Sequence, residues 1–250
     1  MLWIDRNKLR TQLMAGTFLN LGSATSVEIA ADTGFDWLLI DLEHGSGSAA
    51  DLRSMLLACR GSSAAPIVRI RSVDPDTVKF VMDSGAAGIM FPYVSSVEEA
   101  QRAVDCIKYP PMGSRGVAGA IRATAFGRDW KPYFEQANDN SLVVVQIETP
   151  EAVSASADIA AIDGVDVLFV GPLDLSVNLG CPGDFNEPRF VEALSRVVKS
   201  CSDHNKTPGI LTKPGFEQQH KELGFRFTAL GADSLGVLQA MNENLERLRQ

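Results

Sequence analysis

No stretch of the 250-residue sequence approaches the ~18 to 20 consecutive apolar residues that a membrane span requires. The opening MLWIDRNKLR also lacks the basic-then-apolar layout of a signal peptide, so the sequence predicts a cytoplasmic protein with no membrane partner. Basic clusters are missing too. The longest is RLR near the C-terminus, against a formal net charge of -8, which argues against nucleic acid as a partner. The four cysteines, Cys59, Cys106, Cys181 and Cys201, are widely separated and form no CxxC pair. That pattern fits neither a disulfide framework nor a zinc cage and predicts reduced, mostly buried thiols.

What is present is an ordinary globular composition, 45% hydrophobic and 22% charged, in a chain long enough to bury a sizeable core. Short apolar runs rich in β-branched residues alternate with longer segments of helical period over the whole length, the pattern of a parallel sheet with crossover helices. Eight strands are expected, at 17–21, 37–41, 66–70, 88–92, 142–148, 165–170, 208–212 and 227–231. Helical segments lie between them; one opens at SVEE, a capping box with Ser96 as N-cap and Glu99 three residues on. Eight strand-helix units in this length predict one (β/α)8 TIM barrel covering residues 1–250, with no interdomain linker. About fifty residues separate the fourth and fifth strands, where a helix and two turns need roughly half that. The surplus, PPMGSRGVAGAIRATAFGRDWKPYFEQANDN, reads as a lid or an oligomer contact. Its Arg115 and Arg122 are either solvated, the default for surface arginines, or directed at a substrate anion.

GSGSAA (45–50) matches G-x-G-x-x-G/A between a strand and a helix, as a dinucleotide site would. That fingerprint needs an acidic ribose partner about twenty residues later. The following strand instead reads PIVRIRS, with Arg69 and Arg71, and the dinucleotide reading is set aside.

In a (β/α)8 barrel the reacting groups sit at the C-terminal ends of strands. Here those ends carry Asp41, Glu43 and His44 in WLLIDLEHG, Arg69 in PIVRI, Gln146 and Glu148 in VVVQIE, and Gly171, Pro172 and Asp174 in VGPLD. Residues two apart share a strand face, so Gln146 and Glu148 point the same way. Glu148 and Asp174 follow adjacent strands roughly 4.8 Å apart, which lets two carboxylates converge on one hard divalent cation. The bland alternative has Glu148 capping the helix at TPEAV and Asp174 capping the turn DLS. Arg69, a cation in an apolar strand, needs an anion. Either a substrate carboxylate supplies it or a structural pair with Asp41 or Glu43 does. His44 can exchange a proton near neutral pH, whereas His204 and His220 lie on surface-patterned helices and are expected in solvent. Asp83 reads only as a helix C-terminal residue.

IDLEHG, PIVRI, YPPMGSRGV, QIETPEAV and VGPLDLSVNLG, in this order and spacing, resemble the HpcH/HpaI-type class II pyruvate-dependent aldolases over nearly the whole chain. The resemblance implies a divalent metal ion, Mg2+ or Mn2+ with Co2+ as a further option, held by Glu148 and Asp174. It implies that Arg69 binds the pyruvate moiety, that His44 acts as base through a water, and that Asp83 is the histidine's partner carboxylate, supplied from a neighbouring subunit. Gln146, Gly171, Pro172, Leu173 and Leu211 would line the substrate pocket, and Asp41 would orient the turn after the second strand. Leu173 stands where the family often has a small residue; residues 116–118 and 210–211 would shape the aldehyde side. A homohexamer, a trimer of dimers with the last helix exchanged between subunits, is implied as well. The expected activity is reversible retro-aldol cleavage of a 4-hydroxy-2-oxo acid to pyruvate or a related 2-oxo acid and an aldehyde. Two alternatives stay open: an oxaloacetate decarboxylase using the same enolate site, and a non-catalytic barrel that binds a keto acid.

Overall fold

The structure, a computed structural model, describes residues 3–249; residues 1, 2 and 250, the outermost positions of the expected domain, lie outside the described residues. Among the described residues the strands are β1 (Met14–Leu19), β2 (Trp37–Asp41), β3 (Ala65–Arg69), β4 (Gly88–Phe91), β5 (Leu142–Ile147), β6 (Val167–Val170), β7 (Thr207–Thr212) and β8 (Phe227–Ala232). All pair in parallel and in sequence order, and β8 returns to β1 to close the barrel. Helices cross over between successive strands, so the expected (β/α)8 architecture is the observed one.

The strands fall close to their expected positions, with the largest offset in β1, which starts at Met14 rather than Thr17. Its first half, Met-Ala-Gly, carries little strand propensity. Gly16 is there for space: a Cβ at this position would come within 2.2 Å of the Trp37 ring.

Alternation along each strand separates two cores. One parity of residues, including Trp37, Leu39, Ile67, Val144, Phe169 and Phe227, fills the barrel interior. Trp37 stacks on Phe227 with ring centroids 3.9 Å apart and planes 9° apart. The other parity, including Leu38, Ile40, Val68, Val145 and Leu168, packs outward against the helices. The interior is therefore filled, and a ligand can enter only where the inward residues become polar, at the strand ends.

The long insertion between β4 and β5 folds against the outside of the barrel as a 3-10 turn (Arg122–Thr124) and a helix (Trp130–Asn140). Of its arginines, Arg115 and Arg122 do not project freely into solvent. The Arg115 side chain is fully buried, paired with Asp83 at 2.7 Å and set 4.5 Å over the Tyr109 ring. Arg122 donates to the backbone carbonyls of Ser84 and Leu56, each near the C-terminal end of a helix. Both cations are consumed by anchoring the insertion, which is why neither stays in water nor reaches the barrel mouth.

Ser96 caps its helix as expected, accepting from the Glu99 N–H. The Glu99 carboxylate bonds the N–H of Ser95, one residue before the expected Ser96. All four cysteines are free and buried. Among the described residues no helix is long and apolar enough to cross a membrane. The last helix, Asp233–Arg249, is fastened at its start, where Asp233 accepts from the Asn20 N–H and the Ser26 hydroxyl. No described residue of that helix is buried, and Leu235, Leu238, Met241 and Leu248 lie exposed.

Candidate active site

The inward parity that fills the interior with Leu39, Ile67 and Val144 continues to Asp41, Arg69 and Gln146, one step further along β2, β3 and β5. Asp41 and Arg69 are direct register partners on adjacent strands. All three are buried, and so is Glu148 just beyond β5. Arg69 donates from Nε to Asp41 Oδ1 at 3.0 Å and from Nη2 to Asp41 Oδ2 at 2.7 Å, a two-pronged pair. Its Nη1 faces away from Asp41, 3.4 Å from Gln146 Oε1 and 3.1 Å from Glu43 Oε2. Gln146 Nε2 then donates to Glu148 Oε1 at 2.8 Å. One continuous network thus runs from Asp41 through Arg69 and Gln146 to Glu148. Burial opposes the charge of Arg69, but the bonds to Asp41 and the charges of Asp41, Glu43 and Glu148 hold it firmly protonated. Of the two expectations for Arg69, the structural pair with Asp41 and Glu43 is the one observed, and Nη1 is the nitrogen of its fork not bonded to Asp41.

Glu148 does not cap the following helix; Thr149 does, accepting from the Ala152 N–H. Its Oε2 instead accepts from the Tyr93 N–H at 3.1 Å. Burial, and then the neighbouring Asp174 carboxylate, push the Glu148 carboxyl up to about 8, against the Tyr93 N–H and Arg69. Asp174 occupies the first turn of the helix Pro172–Asn178, and its carboxylate makes no hydrogen bond or ion pair among the described residues. A Cβ at Gly171 would stand 2.0 Å from Glu148 Oε1, so only glycine leaves room for that carboxylate. Two repelling carboxylates, one buried, at the end of a barrel whose mouth also holds Glu43 are a site short of positive charge. Among the described residues no group of three or more His, Cys, Asp or Glu side chains is placed to hold a metal.

His44 stands at the rim with its side chain 73% exposed and Nε2 3.8 Å from Glu43 Oε1. The turn that carries it is fixed by Asp41 Oδ1, which accepts from the N–H groups of Glu43 and His44 at 3.0 and 3.3 Å. Burial raises the Glu43 carboxyl, with Arg69 pulling the other way. Asp83 lies elsewhere in the chain, paired to Arg115 at the end of the helix Pro75–Asp83 and lining an outer cleft with Lys79, Phe80 and Arg122. Residues 116–118 follow Arg115 on that same outer side, where a Cβ on Gly116 would touch the Lys79 side chain. Within one chain, then, neither Asp83 nor 116–118 joins His44.

Pro172 is buried at the start of its helix, while Leu173 is 54% exposed beside Asp174. Leu211 packs on the interior cluster, but Ile210 faces outward into the other core, so only Leu211 of that pair can border the mouth. His204 is exposed as expected; His220 is not. It is 4% exposed, bonded through Nδ1 to the Thr212 hydroxyl at 3.1 Å and stacked on Phe216, because its helix turns that residue toward β7.

Sequence reasoning missed three contributors. Phe18 lies 5.1 Å under the Arg69 guanidinium; Tyr93 and Asn178 surround Glu148. An aromatic of inward parity in β1 was the available signal for Phe18, but nothing local marks the other two. No strand carries a lysine among the described residues. The buried Lys108, lowered to about 8 by burial, donates to the carbonyl of Ser141, which precedes β5 and so lies at the opposite end of the barrel.

In metal-free protein Glu148 holds its proton more tightly when folded than at its ordinary value of 4.5. Its contribution to stability is therefore complete below about 4.5 and lost as pH rises through about 8. Denaturant midpoints measured in EDTA from pH 4.5 to 9 are expected to fall across this window and to fall less in Glu148→Gln. Parallel curves for the two proteins would contradict the assignment.

The model of the HpcH/HpaI aldolase/citrate lyase family matches residues 14–240. A hydroxypyruvate/pyruvate aldolase of Paraburkholderia phytofirmans is 39% identical over 246 residues, 96% of this chain and 94% of that protein. A 2-dehydro-3,6-dideoxy-6-sulfogluconate aldolase of Pseudomonas putida is 38% identical over 235 residues, covering 94% and 92% of the two chains. The crystal structure of a HpcH/HpaI aldolase/citrate lyase family protein from Burkholderia cenocepacia J2315 superposes with a TM-score of 0.93 at 35% identity, over 98% of each chain. With sequence, fold and length all in agreement, the chain belongs to the HpcH/HpaI aldolase/citrate lyase family.

Proposed function

We propose that the protein is a divalent-metal-dependent aldolase that cleaves a 4-hydroxy-2-oxo acid to an aldehyde and pyruvate, or a related 2-oxo acid such as hydroxypyruvate. The observation that carries this reading is the buried run from Arg69 to Glu148, which sets a cation already paired with Asp41 beside two carboxylates that have no ion pair of their own among the described residues. The donor set fits Mg2+, Mn2+ or Co2+: oxygen atoms only, with Asp174 free of other bonds and each Glu148 oxygen accepting one hydrogen bond and keeping a lone pair. When bound by Glu148 and Asp174, the ion supplies a Lewis acid for the ketone oxygen and positive charge for the enolate.

The chain's own groups account for the rest. Arg69 Nη1, the edge not taken by Asp41, receives an oxygen of the 2-oxo acid and stays charged because its partners hold it so. Gln146 spaces that guanidinium from Glu148, and the bare backbone at Gly171 leaves a floor with Pro172. His44, at the rim, takes the hydroxyl proton through a water. The electrons of the breaking carbon-carbon bond pass to the enolate, the aldehyde departs, and a proton delivered to the enolate carbon completes pyruvate. Leu173 and Leu211 border the side on which the aldehyde leaves, an apolar and modest space.

Among the described residues of its own chain His44 has no carboxylate other than Glu43 within ion-pair distance, and no described residue of the helix Asp233–Arg249 is buried. Both features support a homohexamer, a trimer of dimers in which that helix docks on a second copy and Asp83 approaches a neighbour's His44.

Two experiments test these readings. Exchange of the pyruvate methyl protons in D2O, followed by NMR, is expected with Mg2+ or Mn2+ and should stop in EDTA. Persistent exchange in EDTA would contradict the metal route, and CO2 release from oxaloacetate far faster than any aldol cleavage would favour the decarboxylase. If Asp83 serves a neighbour's site, His44→Ala and Asp83→Ala, each nearly inactive alone, should regain activity on mixing with subunit exchange, with about a quarter of the sites intact in an equal mixture. No recovery from two folded, co-assembled variants would place Asp83 outside the site.

A further inference from the structure

Tyr93 and Asn178 have no part in the reaction as written above, yet both are bonded to Glu148. Asn178 ends the helix Pro172–Asn178 that carries Asp174 in its first turn. The two residues are four apart, so they lie one above the other on one face. The Asn178 amide Nδ2 donates to the backbone carbonyl of Glu148 at 2.8 Å and to the Tyr93 hydroxyl at 3.0 Å. A backbone carbonyl can only accept, so this network fixes which way the amide faces.

Tyr93 follows β4 with φ of 52°, a left-handed conformation in which a bulky residue is an outlier and which persists where the surroundings enforce it. That conformation aims its N–H at Glu148 Oε2. Segments after β4, β5 and β6 are thereby tied together around one carboxylate. Glu148 sits on a strand end and Asp174 on a helix, so their separation depends on how that helix seats against β5. Asn178 donates a direct hydrogen bond from that helix to the residue that follows β5.

We propose that Asn178, held by Tyr93, is a positioning residue that sets the separation of the Glu148 and Asp174 carboxylates and with it the affinity for the divalent cation. The inference rests on the assignment of those two carboxylates as the ligands. A small octahedral ion tolerates little error in oxygen placement, so a helix freed to shift by a few tenths of an ångström weakens the site without removing a ligand. Groups of this kind around metal ligands typically contribute about 10- to 100-fold in affinity.

The test is Mn2+ binding to metal-stripped full-length protein, measured by calorimetry and by the EPR signal of free Mn2+. It compares wild type, Asn178→Leu, Tyr93→Phe and Glu148→Gln, with unfolding temperatures taken alongside. Asn178→Leu, of similar size and without a donor, should bind Mn2+ about tenfold more weakly, and Tyr93→Phe about two- to threefold. Excess Mn2+ should recover most of the turnover lost by Asn178→Leu. A lowered unfolding temperature with wild-type Mn2+ affinity would mean that Asn178 only packs, and would overturn the inference while leaving the two-carboxylate site standing if Glu148→Gln has lost binding. Wild-type Mn2+ affinity in Glu148→Gln would overturn the ligand assignment and the inference together. Should Asn178→Leu fail to fold, unchanged Mn2+ affinity in Tyr93→Phe overturns the inference.

Discussion

Arg69 puts a permanent cation inside the mouth of a barrel whose interior is otherwise apolar, and the surrounding groups are arranged to keep it there. A buried guanidinium without an anion would cost several kcal/mol. Asp41, its register partner on β2, meets it with both oxygens. Having done so, Asp41 still accepts from the N–H groups of Glu43 and His44, so the residue that neutralises the arginine also shapes the turn carrying the proposed base. On the other side Gln146 passes the constraint to Glu148. Removing Asp41 would strip the buried guanidinium of its two-pronged partner, leaving Glu43 alone in ion-pair contact, and would free the His44 turn at the same time, so activity and stability are expected to fall together.

The apolar layers beneath this network give it its chemical weight. Trp37 stacked on Phe227, with Phe169 edge-on to both, closes the barrel below the polar layer and keeps water from approaching from the other end. Charges above such a floor interact more strongly than at an open surface. The same dryness lifts Glu148 to about 8 and makes a divalent cation the natural counter-ion for the carboxylate pair. Under the proposed ligand assignment a proton and the metal would compete for this buried oxygen ligand, and the metal would gain as pH rises.

The barrel and most of its mouth were legible because both obey a period of two. The inward parity that makes Leu39, Ile67 and Val144 core residues makes Asp41, Arg69 and Gln146 mouth residues, and strand periodicity is a local property of sequence. What escaped depends on partners distant in the chain. Arg115 lies 32 residues from Asp83, and only the folded insertion turns an expected surface arginine into a buried ion pair. His220 escaped for a different reason: its partners Thr212 and Phe216 are local, and the seating of its short helix against β7 is what buries it. Asn178 ends a helix and Tyr93 follows β4, 85 residues away, and neither residue type advertises a role beside a carboxylate. β1 was displaced because Gly16 serves Trp37 rather than its own strand.

Where a metal ion and a 2-oxo acid meet the network would be shown directly by a crystal structure of the protein with Mn2+ and oxamate, an unreactive pyruvate isostere. The expected result is Mn2+ ligated by the Glu148 and Asp174 carboxylates, with oxamate chelating the ion and one of its oxygens on Arg69 Nη1 in place of Glu43. Mn2+ on other residues, or oxamate bound outside the strand ends with Arg69 untouched, would contradict the assignment of this mouth as the reacting site.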